Sequence, residues 1–185
     1  MDAFHYASVE NDLNLFSSTL GLPACTSASG CFKRVFASGI EPKSNCGWAQ
    51  EAALDIEWAH AMAPNAHIVL VEAASSSLAD HFAAVDVATA QVTAGGGHGQ
   101  VSMSWSGSEF STEGSNDSHF NTGASNNVIY FASSGDTGGV NGYPSVPPFV
   151  VSAGGTSVKL NPNGTLNSET GWNGGGPSRY EPRPS

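Results

Sequence analysis

The sequence predicts an α/β fold, a parallel sheet with helices on both faces. Three observations predict it. Stretches with helical apolar spacing alternate with short strand-like runs along the chain. One of those runs, Ile68-Val69-Leu70-Val71, is continuously apolar, as in a parallel strand covered on both sides. Gly and Pro punctuate the helical stretches, at Gly21 with Pro23, at Pro64 and at Gly95-Gly96-Gly97.

Taken in order, Ser8 is placed to cap a helix whose apolar positions are Val9, Leu13, Phe16 and Leu20. A second helix is expected from about Trp48 to Met62, packing through Ala52, Ile56, Ala59 and Ala63. The strand Ile68 to Val71 follows, then a helix built on Leu78, Phe82, Val85, Ala88 and Val92. Val101, Met103 and Trp105 alternate as a strand, Val128 to Ala132 forms another, and Phe149-Val150-Val151 a third. The tail from Gly154 to Ser185 is rich in Gly, Asn, Pro and Ser, and Asn163-Gly164 predicts a hairpin turn. Met1 to Tyr6 reads as the end of a strand whose beginning is missing. No internal repeat is visible, and the 185 residues fit one domain.

Charge narrows the function classes. Only 12% of residues are charged and the net charge is −10, which repels nucleic acid and anionic lipid. A sparse, acidic charge set suits work in acid, where carboxylates protonate without stranding many cations. No run approaches the roughly 18 apolar residues of a membrane span, and the first six residues are no signal peptide. Cys25 and Cys31 bracket a five-residue loop and can close a small disulfide, with Cys46 left over, or Cys46 can pair with one of them. No Cys-x-x-Cys pair or neighbouring His supplies metal-ligand spacing, so no metal site is assigned.

Two acidic features carry the chemistry. Glu51 and Asp55 are four residues apart, hence on one face of the predicted helix. Carboxyls that share a proton raise one of their pKa values, which makes a general base usable in acid, where an ordinary histidine is protonated. A solvated helix face is the ordinary outcome for such a pair, but Ala52, Ala53, Leu54, Ile56, Trp58 and Ala59 predict partial desolvation here. Asp136 follows a strand in Ser133-Ser134-Gly135-Asp136-Thr137-Gly138, a short Gly-flanked turn that can present its side chain into a cleft. A protonated carboxyl there can donate to an oxyanion, whereas an Asx-turn is the simpler alternative. The histidines form no His-Gly-Thr-His helix start, and Gly95-Gly96-Gly97-His98-Gly99 precedes a strand, whereas a phosphate loop follows one.

Cys46-Gly47-Trp48-Ala49-Gln50-Glu51 with Leu54-Asp55-Ile56-Glu57-Trp58 resembles the catalytic helix region of the sedolisins, the serine-carboxyl peptidases. Ser102-Met103-Ser104-Trp105-Ser106-Gly107 resembles their substrate-binding strand, although that family usually reads Ser-Trp-Gly there. Ser133 to Gly138, Tyr143-Pro144-Ser145 and Ser152-Ala153-Gly154-Gly155-Thr156 are similar to the oxyanion segment and the strand after it. The resemblance runs in order over nearly the whole chain.

The resemblance implies a subtilisin-like fold, incomplete at both ends, and part of an acid-acting serine-type endopeptidase catalytic domain. Glu51 would take the serine proton, Asp55 would orient Glu51, and Asp136 would stabilise the tetrahedral oxyanion. Asp2 resembles an acidic position that some members link to this network. Ser104 and Trp105 would border the substrate, with Ser133, Ser134 and Gly135 as the opposite wall, although a core role is an equal alternative for Trp105. The family's Gly-Thr-Ser-x-x-x-Pro nucleophile motif does not occur, and Ser157 lacks the following Pro and continues as a strand. The family's calcium, whose ligands would lie outside this chain, its secretion, its protein or peptide substrates and an N-terminal propeptide are implied in the same way. The chain alone is expected to be inactive. The alternative is a non-catalytic peptide-binding or inhibitory remnant.

Overall fold

The structure is a computed structural model that describes residues 1–125 and 127–182. The last three residues of the polar tail therefore lie outside the described residues. The chain divides into two compact units, Met1–Gly96 and Gly97–Ser185.

The first unit is built on a three-stranded parallel sheet of β1 (Asp2–Ala3), β2 (Phe32–Phe36) and β3 (Ile68–Ala73), in the order β1-β3-β2. Three helices accompany it, α1 (Val9–Leu20), α2 (Cys46–Met62) and α3 (Leu78–Ala94). One face of the sheet buries Phe32 and Leu70 against Val9 and Leu13 of α1 and Ala52 and Ile56 of α2. On the opposite face, Lys33 Nζ donates to Gln91 Oε1 of α3 at 2.7 Å. Helices thus cover both faces, as parallel strands require.

The helix boundaries have local causes. The Asn45 side chain accepts from the N–H groups of Gly47 at 3.0 Å and Trp48 at 3.2 Å, so α2 starts at Cys46, two residues earlier than the apolar pattern suggests. Ser77 caps α3 by accepting from Asp80 N. Ser8 precedes α1 without capping it, because its hydroxyl donates instead to Asp12 Oδ2 at 2.9 Å.

The packing faces are narrower than expected. Helix α1 buries Val9, Leu13 and Ser17, whereas Phe16 is half-buried and Leu20, the last residue before the Gly21 cap, is exposed. Helix α2 buries Ala52, Ile56 and His60, a strict four-residue period, which turns Ala59 outward; Ala63 is exposed beyond its end.

In the second unit, β4 (Gly99–Met103), β6 (Val128–Ser133) and β8 (Val150–Ala153) form a parallel sheet in the order β4-β6-β8. A short pair, β5 (Gly107–Ser108) with β7 (Gly142–Tyr143), and helix α4 (Ser118–Ser125) lie in the connections. Phe120 of α4 stacks edge-on against Tyr130 of β6, with ring centroids 5.5 Å apart. The tail folds as an antiparallel hairpin, β9 (Thr156–Leu160) with β10 (Leu166–Gly171), turning at Asn163-Gly164. Phe149 lies just before β8 and is exposed.

Candidate active-site elements

In the first unit the structure brings Glu51, Asp55 and Asp2 together. Glu51 and Asp55 occupy successive turns of α2 and are half-buried. Asp2 stands on β1 in register with Glu72 and is 1% exposed. Burial pushes the Asp2 carboxyl up to about 7. The Met1 amino group opposes that shift, while the charges of Asp55 and Glu51 and a hydrogen bond with Asp55 reinforce it. A carboxyl in that state holds its proton through the acid range and bonds to its neighbour. The structure thus adds Asp2 to the helix pair, and the charges of Asp55 and Glu51 both oppose ionisation of its buried carboxyl.

The desolvation has a different source from the one the sequence suggests. Leu54 and Trp58, the large apolar residues flanking the pair on α2, are 51% and 54% exposed. It is the sheet beneath α2 that excludes water, through the strand position of Asp2. The outer side stays open: Glu51 borders a concavity of about 510 Å³ with Gly47, Gln50, Ala53, Leu54 and Glu57. Glu57 is itself raised, by burial and then by the charge of Asp12.

Beside this cluster the same sheet carries a second buried pair that sequence reasoning passed over. His5 Nδ1 lies 2.8 Å from Glu72 Oε2, and Tyr6 N donates to Glu72 Oε1 at 3.3 Å. The buried His81 ring is pushed down to about 4, first by burial and then by the charge of the Met1 amino group, and packs tilted against Trp48 with ring centroids 5.5 Å apart.

In the second unit, Ser104-Trp105 and Ser133-Ser134-Gly135 leave the carboxyl ends of adjacent parallel strands, since Met103 pairs with Ala132. Such ends are where α/β sheets place their sites. Trp105 and Ser134 are buried, Ser104, Ser133 and Gly135 half-buried, and Asp136 exposed. Gly135 has φ +91°, a left-handed conformation that turns the chain after β6 and favours glycine.

A segment of the tail lies directly on this loop. Gly174 N donates to Gly135 O at 2.6 Å, and Gly175 N to Val140 O at 3.3 Å. Asn173 Nδ2 reaches Ser134 Oγ at 3.4 Å. A side chain at Gly174 would have its Cβ 2.1 Å from Ser134 O, so the close approach requires glycine. Sequence reasoning missed Asn173 and Gly174, although Asn173-Gly174-Gly175-Gly176 was a signal that two backbones meet. Ser157 is an exposed residue of β9 paired with Thr170.

Among the described residues, the one group of three potential metal ligands is Cys25, Cys31 and His60. Its sulfur and nitrogen donors do not fit calcium, which takes oxygen ligands. Cys25 and Cys31 form a disulfide and Cys46 is a free, exposed thiol. No described helix is long and apolar enough to cross a membrane.

No family model matches the chain, and no curated protein matches it. Among solved structures it is similar to a Pseudomonas sedolisin, a serine-carboxyl proteinase complexed with two molecules of pseudo-iodotyrostatin. The TM-score is 0.77 at 20% identity, over 99% of this chain and 57% of that one. An S41 psychrophilic protease matches with a TM-score of 0.50 at 22% identity, over 63% of this chain and 39% of its own. The chain therefore has a sedolisin-like, subtilisin-type fold shared with serine peptidases, and it spans 57% of the length of that sedolisin.

Proposed function

We propose that this chain carries the acidic part of the active site of an acid-acting serine-type endopeptidase of the serine-carboxyl class. The observation that supports it is the buried Asp2 carboxyl, pushed up to about 7 beside Asp55 and Glu51, in a fold shared with a serine-carboxyl proteinase. In this reading Glu51 is the general base that takes the proton of a serine supplied by sequence outside this chain. Asp55 orients Glu51, and Asp2, by bonding to Asp55, fixes that orientation. Asp136 supplies a donor to the tetrahedral oxyanion. Ser104 and Trp105 border the substrate opposite Ser133, Ser134 and Gly135.

The substrate is protein or peptide, and the net charge of −10 argues against nucleic acid and membrane surfaces as partners. The Cys25–Cys31 disulfide suits a secreted protein. Calcium and an N-terminal propeptide, if the full protein has them, involve residues outside this chain. The chain alone is predicted not to cleave peptides, since a base and an oxyanion donor lack a nucleophile. A second reading, a non-catalytic peptide-binding or inhibitory remnant, draws on the absence of Gly-Thr-Ser-x-x-x-Pro.

Extending the reading frame through both ends and expressing the product separates the two. The peptidase reading expects a downstream Gly-Thr-Ser-x-x-x-Pro and cleavage of denatured protein near pH 4, falling at least about 100-fold in Glu51→Gln. A stop directly after Ser185, or full activity in Glu51→Gln, overturns it.

A further inference from the structure

Cys25 precedes β2 by a short loop, Cys31 abuts it, and His60 comes from the last turn of α2. His60 is distant in sequence from the two cysteines, yet one ligand atom from each residue lies within 4.8 Å of the other two. Cys25 and His60 are both 0% exposed, while Cys31 is half-buried and gives the cluster its access to solvent.

The state of the His60 ring is fixed by a backbone contact. Its Nε2 lies 2.8 Å from the carbonyl oxygen of Pro23, which can only accept, so Nε2 carries the proton. Nδ1 is left as a bare lone pair, and it is buried without a hydrogen-bond partner. A buried acceptor with no donor is costly and calls for an explanation. Metal-binding histidines commonly donate one ring nitrogen to a carbonyl, which leaves the lone pair of the other for the ion.

We propose that, once the Cys25–Cys31 bridge is reduced, Cys25, Cys31 and His60 form a zinc-class site. In the reduction a phosphine attacks one sulfur and breaks the S–S bond, and water then supplies two protons to the sulfurs and its oxygen to the phosphorus, giving two thiols and a phosphine oxide. Zinc then displaces both thiol protons and binds two thiolates and the His60 imidazole, leaving a fourth tetrahedral position for water. The geometry is close to what this needs. Tetrahedral ligands with Zn–S near 2.3 Å sit about 3.7 Å apart, so side-chain rotation that parts the sulfurs is sufficient. The oxidised bridge excludes the ion, because its sulfurs are no longer thiolates. Occupancy would thus report redox state, and it would pin the carboxyl end of α2, the helix that carries Glu51 and Asp55. None of this depends on the peptidase reading.

The test uses the whole chain with Cys46→Ser, which removes the exposed thiol, reduced by a phosphine at pH 7 and titrated with Co²⁺. The expected result is one equivalent of cobalt with thiolate-to-metal charge-transfer absorption, displaced by Zn²⁺, and no such signal from the oxidised chain. His60→Gln retains a donor for Pro23 O but removes Nδ1, and should weaken binding at least tenfold. X-ray absorption of the zinc form of the unmutated-His60 chain should show two sulfur neighbours and one imidazole nitrogen, a readout that does not require the variant to fold. Equal cobalt uptake by reduced and oxidised chains, undiminished affinity in a folded His60→Gln, or a sulfur shell without imidazole would overturn the proposal.

Discussion

Replacing Asp2 by Asn should flatten the rise of stability in acid. Asp2 has an ordinary value of 3.8 and is pushed up to about 7 in the folded chain, chiefly by burial. Between those values the folded chain holds a proton that the unfolded chain releases, so stability falls as pH rises. Integrating over pH 4 to 7, the folded state loses about 3 kcal/mol from this one group. Asn mimics the protonated carboxyl, with an N–H donor toward Asp55 and no charge to bury, so the variant should escape that loss.

The comparison must be made between wild type and variant, because other groups titrate in the same range. His81, held down to about 4 from 6.5 by burial, works in the opposite direction. Below 6.5 the unfolded chain binds a proton that the folded ring refuses, and stability is lost as pH drops toward 4. That contribution is common to both proteins and cancels in the difference. The assay is urea unfolding followed by Trp48 and Trp58 fluorescence at half-unit pH steps. The expected outcome is near-equal stability at pH 4 and an Asn variant about 3 kcal/mol more stable at pH 7. Parallel curves with a constant offset would refute the buried-proton account and, with it, the assignment of Asp2 as the group that stays protonated.

Three further predictions follow from separate parts of the molecule. Gly174→Ala should detach the tail from the Ser134-Gly135 loop, since its Cβ would lie 2.1 Å from Ser134 O; the loss of two backbone hydrogen bonds amounts to about 2 kcal/mol, and hydrogen exchange at Gly174 and Gly175 reads it directly. Asp117 is pushed up to about 6 by burial and then by Glu181, so protease sensitivity near Glu181 should rise as pH passes through 6, and Asp117→Asn should abolish that pH dependence. Replacing Cys25 and Cys31 together by Ser should lower stability by about 2 kcal/mol, the entropy of a loop this short, read as a shift in urea midpoint.

Local pattern predicts the elements here and does not predict which residues meet. Helix α3 and strands β3, β4 and β6 were legible because their apolar spacing matches one regular period. Strand β2 was not, since Phe-Lys-Arg-Val-Phe carries two charges that read as surface. It persists because both cations are accommodated: Lys33 bonds Gln91, and Arg34 donates to Tyr6 O at 3.2 Å while lying 5.6 Å above the Phe36 ring. Helix α4 was missed because Ser118 to Ser125 is short and polar, with Phe120 as its anchor.

The candidate site divides along the same line. The four-residue spacing of Glu51 and Asp55 is a property of one helix, and so it was readable. That Asp2 would be the protonated partner depends on the register of β1 beside Glu72, which no local pattern encodes. The zinc site proposed above shows the limit most plainly, because ligand motifs are read along the chain and no Cys-x-x-Cys pair or neighbouring His marks it. His60 reaches Cys25 and Cys31 through the packing of α2, whose strict four-residue burial period carries Ala52 and Ile56 into the core and His60 with them. A histidine at the end of an apolar stripe reads as an ordinary core residue. The unpaired Nδ1, visible only once the fold closes around it, is the observation on which the proposal of His60 as a ligand rests.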